Sequence, residues 1–303
     1  MAGTENAVVI NKLVKELARE EITAEFTKQF RATEETTLTG KANPTGNEEL
    51  TLNFTREAGE DVGTYAVALV NDYNTNNYQL SIPENKWFEI TKNNDSKITA
   101  KADTLTFTFT YDGSIPTVSA PVYDAANKVW KVVVSNKSES QTITLSEFVE
   151  TAGNGYTLTD SDYANLLNGI TFALENVKKD AGKYTLISVG SNDNYPAGFG
   201  FVGGSPVLTI KQYTIVIADS DTPLFTKKFN EADPTLSKEF AGVNGEIVTV
   251  TFERDKGTIE TETVGKHALK NAKTTDTNYT VEMPEINNLF EIERQDGLAV
   301  KAT

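Results

Sequence analysis

The chain of 303 residues has no cysteine and a single histidine, His267. No disulfide framework, cysteine nucleophile or histidine-based zinc site can be assembled from that inventory. The missing cysteine fits either a cytosolic protein or a surface protein of a bacterium that avoids disulfides. A Gly-x-x-x-x-Gly-Lys loop, a dinucleotide glycine fingerprint and a Gly-x-Ser-x-Gly elbow are also missing. The glycine-rich run from Gly198 to Gly204 lies between strand patterns with no helix after it, so it is not expected to cradle phosphate. Long apolar runs are lacking too. Nothing approaches the ~18 apolar residues of a membrane-spanning helix, and Met1-Ala2-Gly3-Thr4 lacks the basic and apolar regions of a secretory signal. No anchoring tail is visible before Thr303, so any export or anchoring signal is expected outside this segment.

Positive charge is scarce: 28 basic residues stand against 43 acidic ones, for a net charge of -15. Such a surface repels nucleic acid and anionic lipid, and neither is expected as a partner. Its plainest use is to keep the chain soluble. A paired-carboxylate glycosidase is possible by residue type alone, but sandwiches of ~100 residues offer little cleft, and no enzyme is expected.

What the sequence does contain is a repeat. Asp61-Val62-Gly63-Thr64-Tyr65-Ala66-Val67 returns as Asp180-Ala181-Gly182-Lys183-Tyr184-Thr185-Leu186, and in worn form as Thr263-Val264-Gly265-Lys266-His267-Ala268-Leu269. A second tyrosine comes after each glycine at 15, 13 and 14 residues, as Tyr78, Tyr195 and Tyr279. A closing strand then begins 25, 26 and 25 residues past the glycine, at Phe88, Leu208 and Phe290. Concordant offsets of this kind mark tandem units. In this frame the recurrent glycine turn reads as scaffold, a tight turn that feeds a core strand.

Alternation of apolar and polar residues in Leu50-Thr51-Leu52-Asn53-Phe54, Gly169-Ile170-Thr171-Phe172 and Val248-Thr249-Val250-Thr251-Phe252 predicts strands with one buried face. Leu50, Leu52, Phe54, Tyr65, Val67 and Leu69 are the expected core of the first unit. Phe-Thr-Lys-x-Phe, at Phe26 and again at Phe225, puts both phenylalanines and the lysine on one face of an opening strand. Lys28 and Lys227 are therefore candidates for an isopeptide bond to a closing-strand carboxamide. Residues 8 to 30 admit two readings. Ile10, Leu13, Val14 and Leu17 have helical spacing, whereas the repeat frame makes this stretch a linker, with Val8-Val9-Ile10-Asn11 as a closing strand, ahead of a first strand.

The predicted architecture is all-β: three tandem immunoglobulin-like β-sandwich modules in an elongated array, with domains at 1–93, 94–212 and 213–303. The middle one is enlarged between Val118 and Ile170. That insertion predicts strands at Val129-Trp130-Lys131-Val132-Val133-Val134 and Gln141-Thr142-Ile143-Thr144-Leu145. It also predicts a helical turn over 162–167, capped by Asp160 or Ser161 and ended by Gly169.

The glycine-tyrosine strand start, the Asn76-Asn77-Tyr78 and Asp276-Thr277-Asn278-Tyr279 segments and the closing Phe-x-Ile resemble bacterial surface-protein repeats called MBG domains. Tyr111-Asp112-Gly113 resembles the opening of the sister YDG type. Departures are His267 in a tyrosine position, Asn194-Tyr195-Pro196 with the glycines after it, and the long insertion. The resemblance implies a tandem array in a large secreted or cell-surface bacterial protein, an adhesin or stalk, and hence an extracellular location.

Two kinds of binding site are compatible with the composition. Exposed aromatics could take a glycan or a host or neighbour-cell surface protein. The candidates are Trp130, Tyr123, Tyr156 and Tyr163 in the insertion, and Trp87 before the first closing strand. Asp160 with Asp162, and Asp219 with Asp221, could contribute to a calcium site, although neither run has the glycine and distal glutamate of an EF-hand. Otherwise the expected contacts are between adjacent repeats of one polypeptide, in a monomer.

Overall fold

The computed structural model describes residues 11–33, 38–152, 155–218, 222–256 and 262–295. The protein is all-β, and among the described residues its α-helix is confined to Asp160–Asn165, beside three short 3-10 turns. Strands form where alternation gives each a dry and a wet face. Leu50–Arg56 and Ile247–Glu253 bury every second residue, and Leu52 and Val250 have no exposed surface. Among the described residues, every pairing between named strands falls within 13–91, 98–211 or 213–293.

The three strand groups share a pairing scheme. The first strand of each, Leu13–Glu16, Ile98–Ala102 or Tyr213–Val216, runs parallel to a later strand: Tyr78–Ser81, Phe199–Val202 or Tyr279–Glu282. A second strand, Thr27–Gln29, Thr106–Thr110 or Phe225–Lys228, runs parallel to the closing strand Phe88–Thr91, Val207–Lys211 or Phe290–Glu293. The strand opened by the repeated glycine pairs antiparallel with that same closing strand. Its register sets Gly63 opposite Ile90, Gly182 opposite Ile210 and Gly265 opposite Ile292. Equal offsets along the chain thus become equal registers across a sheet.

Leu13–Glu16 is a strand, so the helical spacing of residues 10–17 is not used as a helix. Its backbone groups are satisfied by Tyr78–Ser81, and Leu17, just beyond, is fully buried. Val8, Val9 and Ile10 lie outside the described residues. Of the expected first core, Leu50, Leu52, Phe54, Val67 and Leu69 are buried and Tyr65 is half-buried. Fully burying one such aliphatic or phenylalanine side chain contributes about 1.5–3 kcal/mol.

Lys28 and Lys227 are nearly buried, and each meets a carboxylate. Lys28 Nζ lies 2.6 Å from Glu60 Oε2, and Lys227 Nζ lies 2.7 Å from Glu262 Oε2. Arg56 shares Glu60, and Arg254 shares Glu262 and Asp233. At the matching places the middle group carries Phe109 and Leu174, both buried. An ionic network in the outer groups is therefore replaced by an apolar pair in the middle one. Lys179, at the place of Glu60 and Glu262, is accordingly directed to a partner outside its own group.

The insertion extends a sheet. Its strands Val129–Ser135 and Ser140–Glu150 form a hairpin beside Ile98–Ala102, and Thr117–Val118 and Val122–Asp124 pair with the outer strand. A bulge interrupts the pairing between Thr99 and Lys101, opposite Glu147, which has φ 51°. It lies just before Glu150, and bulges of this kind bend a strand and re-aim the side chains beyond them. Helix Asp160–Asn165 is capped by Thr159, not by Asp160 or Ser161. The Thr159 hydroxyl accepts from Asp162 N, and Asp162 Oδ2 accepts from Thr159 N at 2.7 Å. Thr159 holds the extended backbone an N-cap requires, which puts Asp160 and Ser161 inside the first turn.

Candidate functional site

The repeated turn is locked from within. Tyr65 Oη donates to the Asp61 carbonyl at 2.6 Å, and Tyr184 Oη donates to the Asp180 carbonyl at 2.8 Å. In the third copy His267 Nε2 lies 2.7 Å from the Thr263 carbonyl. The histidine thus keeps the tyrosine's contact, with Nε2 as the protonated nitrogen because a carbonyl can only accept. Gly63 at φ 156° and Gly265 at φ 134° permit the close reversal. In the first two copies the backbone N–H after that carbonyl reaches a neighbouring group.

That N–H is the centre of each junction between neighbouring groups. Val62 N donates to Asn194 Oδ1 at 2.7 Å, and Asn194 Nδ2 returns a bond to Asp61 Oδ1 at 2.6 Å. Ala181 N donates to Asn278 Oδ1 at 2.7 Å, and Asn278 Nδ2 reaches Asp180 Oδ1 at 3.3 Å. Each asparagine immediately precedes the repeated second tyrosine, and that tyrosine packs edge-on against the aromatic that ends the preceding group's second strand. Phe30 meets Tyr195 with ring centres 5.8 Å apart, and Tyr111 meets Tyr279 at 5.4 Å. Such pairs add about 0.5–1.5 kcal/mol beyond area burial. The two junctions therefore use the same plug and the same socket.

They differ in the charge that completes them. Between the middle and third groups, Glu246 accepts from Tyr111 Oη at 2.9 Å, Tyr279 Oη at 2.6 Å and Lys179 Nζ at 2.7 Å. Lys179 above all, then Tyr279, hold the Glu246 carboxyl below its ordinary range, against the opposing effect of burial. Asn244 adds a bond to the Asp112 carbonyl at 2.6 Å, so Tyr111-Asp112-Gly113 serves the junction directly.

Between the first and middle groups the insertion takes over. Arg31, at φ 62° directly after Phe30, is buried. Its Nε lies 3.1 Å from Glu150 Oε2, and its Nη2 lies 3.0 Å from Asp162 Oδ1. The guanidinium is sandwiched by Tyr156, 3.7 Å from its ring centre, and Phe30, at 4.4 Å. Burial disfavours its charge, but Asp162 and Glu150 outweigh that and hold Arg31 above its ordinary value. Burial raises the Glu150 carboxyl in spite of Arg31. Asp162 goes the other way: burial opposes ionisation, but bonds from Thr159, Arg31 and Tyr156 together lower it. Glu150 has Arg31 and Ser96 as partners, whereas Asp162 gathers donors from three sides, so the opposite directions are physically consistent.

Most of the residues expected to bind ligand are engaged within the protein. Trp130 is 5% exposed, donates Nε1–H to the Tyr163 carbonyl at 2.8 Å and lies against Tyr123. It is a core residue of the insertion, because the sheet it extends leaves its inner face covered. Tyr163 packs on Phe148, and Tyr156 covers Arg31 and donates to Asp162 at 2.9 Å. The insertion aromatics are thus packed on their own unit or turned to the junction. Trp87 borders a groove. It stacks on Phe26 beside Arg19, Glu25, Thr39 and Lys41 around a groove of about 690 Å³. Asp162 is engaged by Arg31, and Asp160 by Lys128. No cluster of metal-ligating side chains occurs among the described residues, and Asp219 and Asp221 lie outside them.

Arg31, Glu150, Asn194, Asn278 and Glu246 did not stand out as site residues in the sequence. The asparagines had a signal, since Asn77, Asn194 and Asn278 each precede the repeated tyrosine. Arg31 and Glu150 had none: 119 residues separate them. No family model, curated protein or solved structure matches the chain.

Proposed function

We propose that the chain is a structural and adhesive segment of a bacterial cell-surface or secreted protein. Three immunoglobulin-like modules, at 1–93, 94–212 and 213–303, are locked end to end and act by reach and presentation rather than catalysis. The observation that carries this reading is the junction built twice from the same plug and socket, with Asp61-Val62 on Asn194 and Asp180-Ala181 on Asn278. A repeat that preserves its contact with the next repeat, more than any cleft of its own, is what a stiff spacer needs. Rigidity arises because each junction combines an aromatic pair, two amide hydrogen bonds and a salt bridge over short connections. Spin labels on the first and third modules test it. A narrow distance distribution that broadens in the Asn194→Ala/Asn278→Ala variant is expected; a broad one already in the parent protein would sink the reading.

A second reading has one specific observation behind it, the groove beside Trp87. A half-buried indole flanked by Thr39, Lys41 and Glu25 is suited to one face of a neutral sugar, with polar groups at its rim. A glycan array with the parent chain and Trp87→Ala separates the two roles. Binding lost with Trp87 supports recognition by the first module, and no binding by either protein leaves the spacer role alone. The insertion is read as a clasp for the first junction rather than as the ligand-binding element.

A further inference from the structure

We infer that the two outer faces of the chain are complementary halves of the same junction, so that the third module of one copy docks head to tail on the first module of another. The inference rests on the array reading of the two internal junctions. At the outer face of the first module, Tyr78 Oη donates to Glu48 Oε2 at 2.6 Å, as Tyr279 does to Glu246 at the same distance. The backbone agrees as well. Leu13 N donates to the Asn77 carbonyl at 2.9 Å, and Tyr213 N donates to the Asn278 carbonyl at 2.9 Å. Asn77 is therefore held where Asn278 is held, and its side chain is exposed to solvent. Among the described residues, these contacts of the internal socket are repeated here.

The opposite face carries the plug. His267 braces the Thr263 carbonyl as Tyr65 and Tyr184 brace theirs, so Val264 follows a turn of the same build as those before Val62 and Ala181. Val264 is 46% exposed. Phe229 stands where Phe30 and Tyr111 stand. Those two are fully buried beneath the next module's tyrosine, whereas Phe229 is only half-buried. Seating Val264 and Phe229 on Asn77 and Tyr78 would cover both. Plug and socket lie on opposite ends of the repeat order, so the contact is heterologous and generates open linear assemblies rather than a closed dimer.

Two substitutions weaken the outer contact relative to the internal ones. Thr263 lacks the carboxylate that Asp61 and Asp180 offer the socket asparagine, and Phe229 lacks the hydroxyl that Tyr111 gives to Glu246. Glu262, at the place of Lys179, is turned to Lys227 and Arg254. The association is therefore concentration-dependent and improvable. Thr263→Asp/Phe229→Tyr restores the carboxylate and the hydroxyl that the internal junctions use and should tighten it about tenfold, or about 1.4 kcal/mol.

The cysteine-free background makes the test direct. A short bis-maleimide is applied to the full chain carrying Thr263→Cys and Asn77→Cys, with Asp61→Cys/Asn194→Cys as the internal pair and exposed mid-strand Asn53→Cys/Thr226→Cys as control. A ladder of dimers and trimers about tenfold above control is expected, and neither outer cysteine alone should give it. Sedimentation of Thr263→Asp/Phe229→Tyr, which tests association without cysteines, should show larger species at about tenfold lower concentration. A ladder no stronger than control, alongside efficient linking of the internal pair, would overturn head-to-tail docking and leave the array intact. Failure of the internal pair would instead count against the array. Dimers from a single outer cysteine would mean like-to-like association and would also overturn the inference.

Discussion

Replacing Arg31 with methionine should uncouple the first and middle strand groups. Methionine keeps an unbranched stem between Phe30 and Tyr156 but removes the charge between Glu150 and Asp162, whose side chains are 2% and 10% exposed. Removing one partner of a buried ion pair costs about 3–5 kcal/mol. The lower end applies here, because Asp162 keeps its bonds to Thr159 and Tyr156. Glu150→Gln should cost less, since Arg31 retains Asp162, and the double variant should reveal a coupling of about 1–3 kcal/mol. The two tryptophans report on the two strand groups separately, Trp87 on the first and Trp130 on the middle one. Urea unfolding monitored in Trp87→Phe and Trp130→Phe backgrounds should show coincident transitions with Arg31 and separated ones with methionine. The pH dependence has a definite sign. Glu150 is raised by burial even beside Arg31, and more so without it, so the folded state binds the proton more tightly. The variant's deficit should therefore shrink as pH falls from 7 towards the ordinary carboxyl value of 4.5. The Asp162 contribution, from a lowered carboxyl, is lost only below its ordinary 3.8. Coincident transitions in the methionine variant, or a coupling below about 0.5 kcal/mol, would refute the clasp.

The junction between the middle and third strand groups should weaken in acid. Glu246 is held below its ordinary 4.5 by Lys179 and Tyr279, so its stabilisation is present above that pH and is lost as pH falls through its folded value. Hydrogen exchange at 242–246 should rise in that window, and Glu246→Gln should flatten the dependence; an unchanged profile would remove Glu246 from the junction. Trp130→Ala should destabilise the middle strand group by about 3–5 kcal/mol, the cost of truncating a buried aromatic. A variant that keeps its stability but loses glycan binding would return Trp130 to a surface role. Tyr184→Phe should cost about 1 kcal/mol, the net worth of one intramolecular hydrogen bond, and free the plug turn, seen as faster exchange of the Ala181 amide.

The repeat frame was legible because strand pairing obeys local arithmetic. Glycine with tyrosine two residues on, then Phe-x-Ile or Leu-x-Ile some 25 residues later, leaves one register, and Gly63, Gly182 and Gly265 all adopt it. The bracing histidine was legible only as an exception, because its bond to Thr263 depends on a ring nitrogen reaching where a phenol oxygen reaches elsewhere.

Alternation, turn glycines and equal offsets were enough, in the sequence itself, to determine an all-β chain with strands near the places they occupy. These are period-two and nearest-neighbour properties, and the backbone enforces them locally. Tertiary structure alone decided what the surfaces do. Exposure of Trp130 depended on whether the insertion's sheet would cover it, and the use of Arg31 on a hairpin more than a hundred residues away bringing Glu150 against it. The glycine turn, which reads in sequence as scaffold, became a contact between strand groups for the same reason: the Val62 and Ala181 amides find their asparagines 132 and 97 residues away. Interactions at that separation leave no periodic trace, because they are selected by how finished surfaces meet rather than by how any one strand is built.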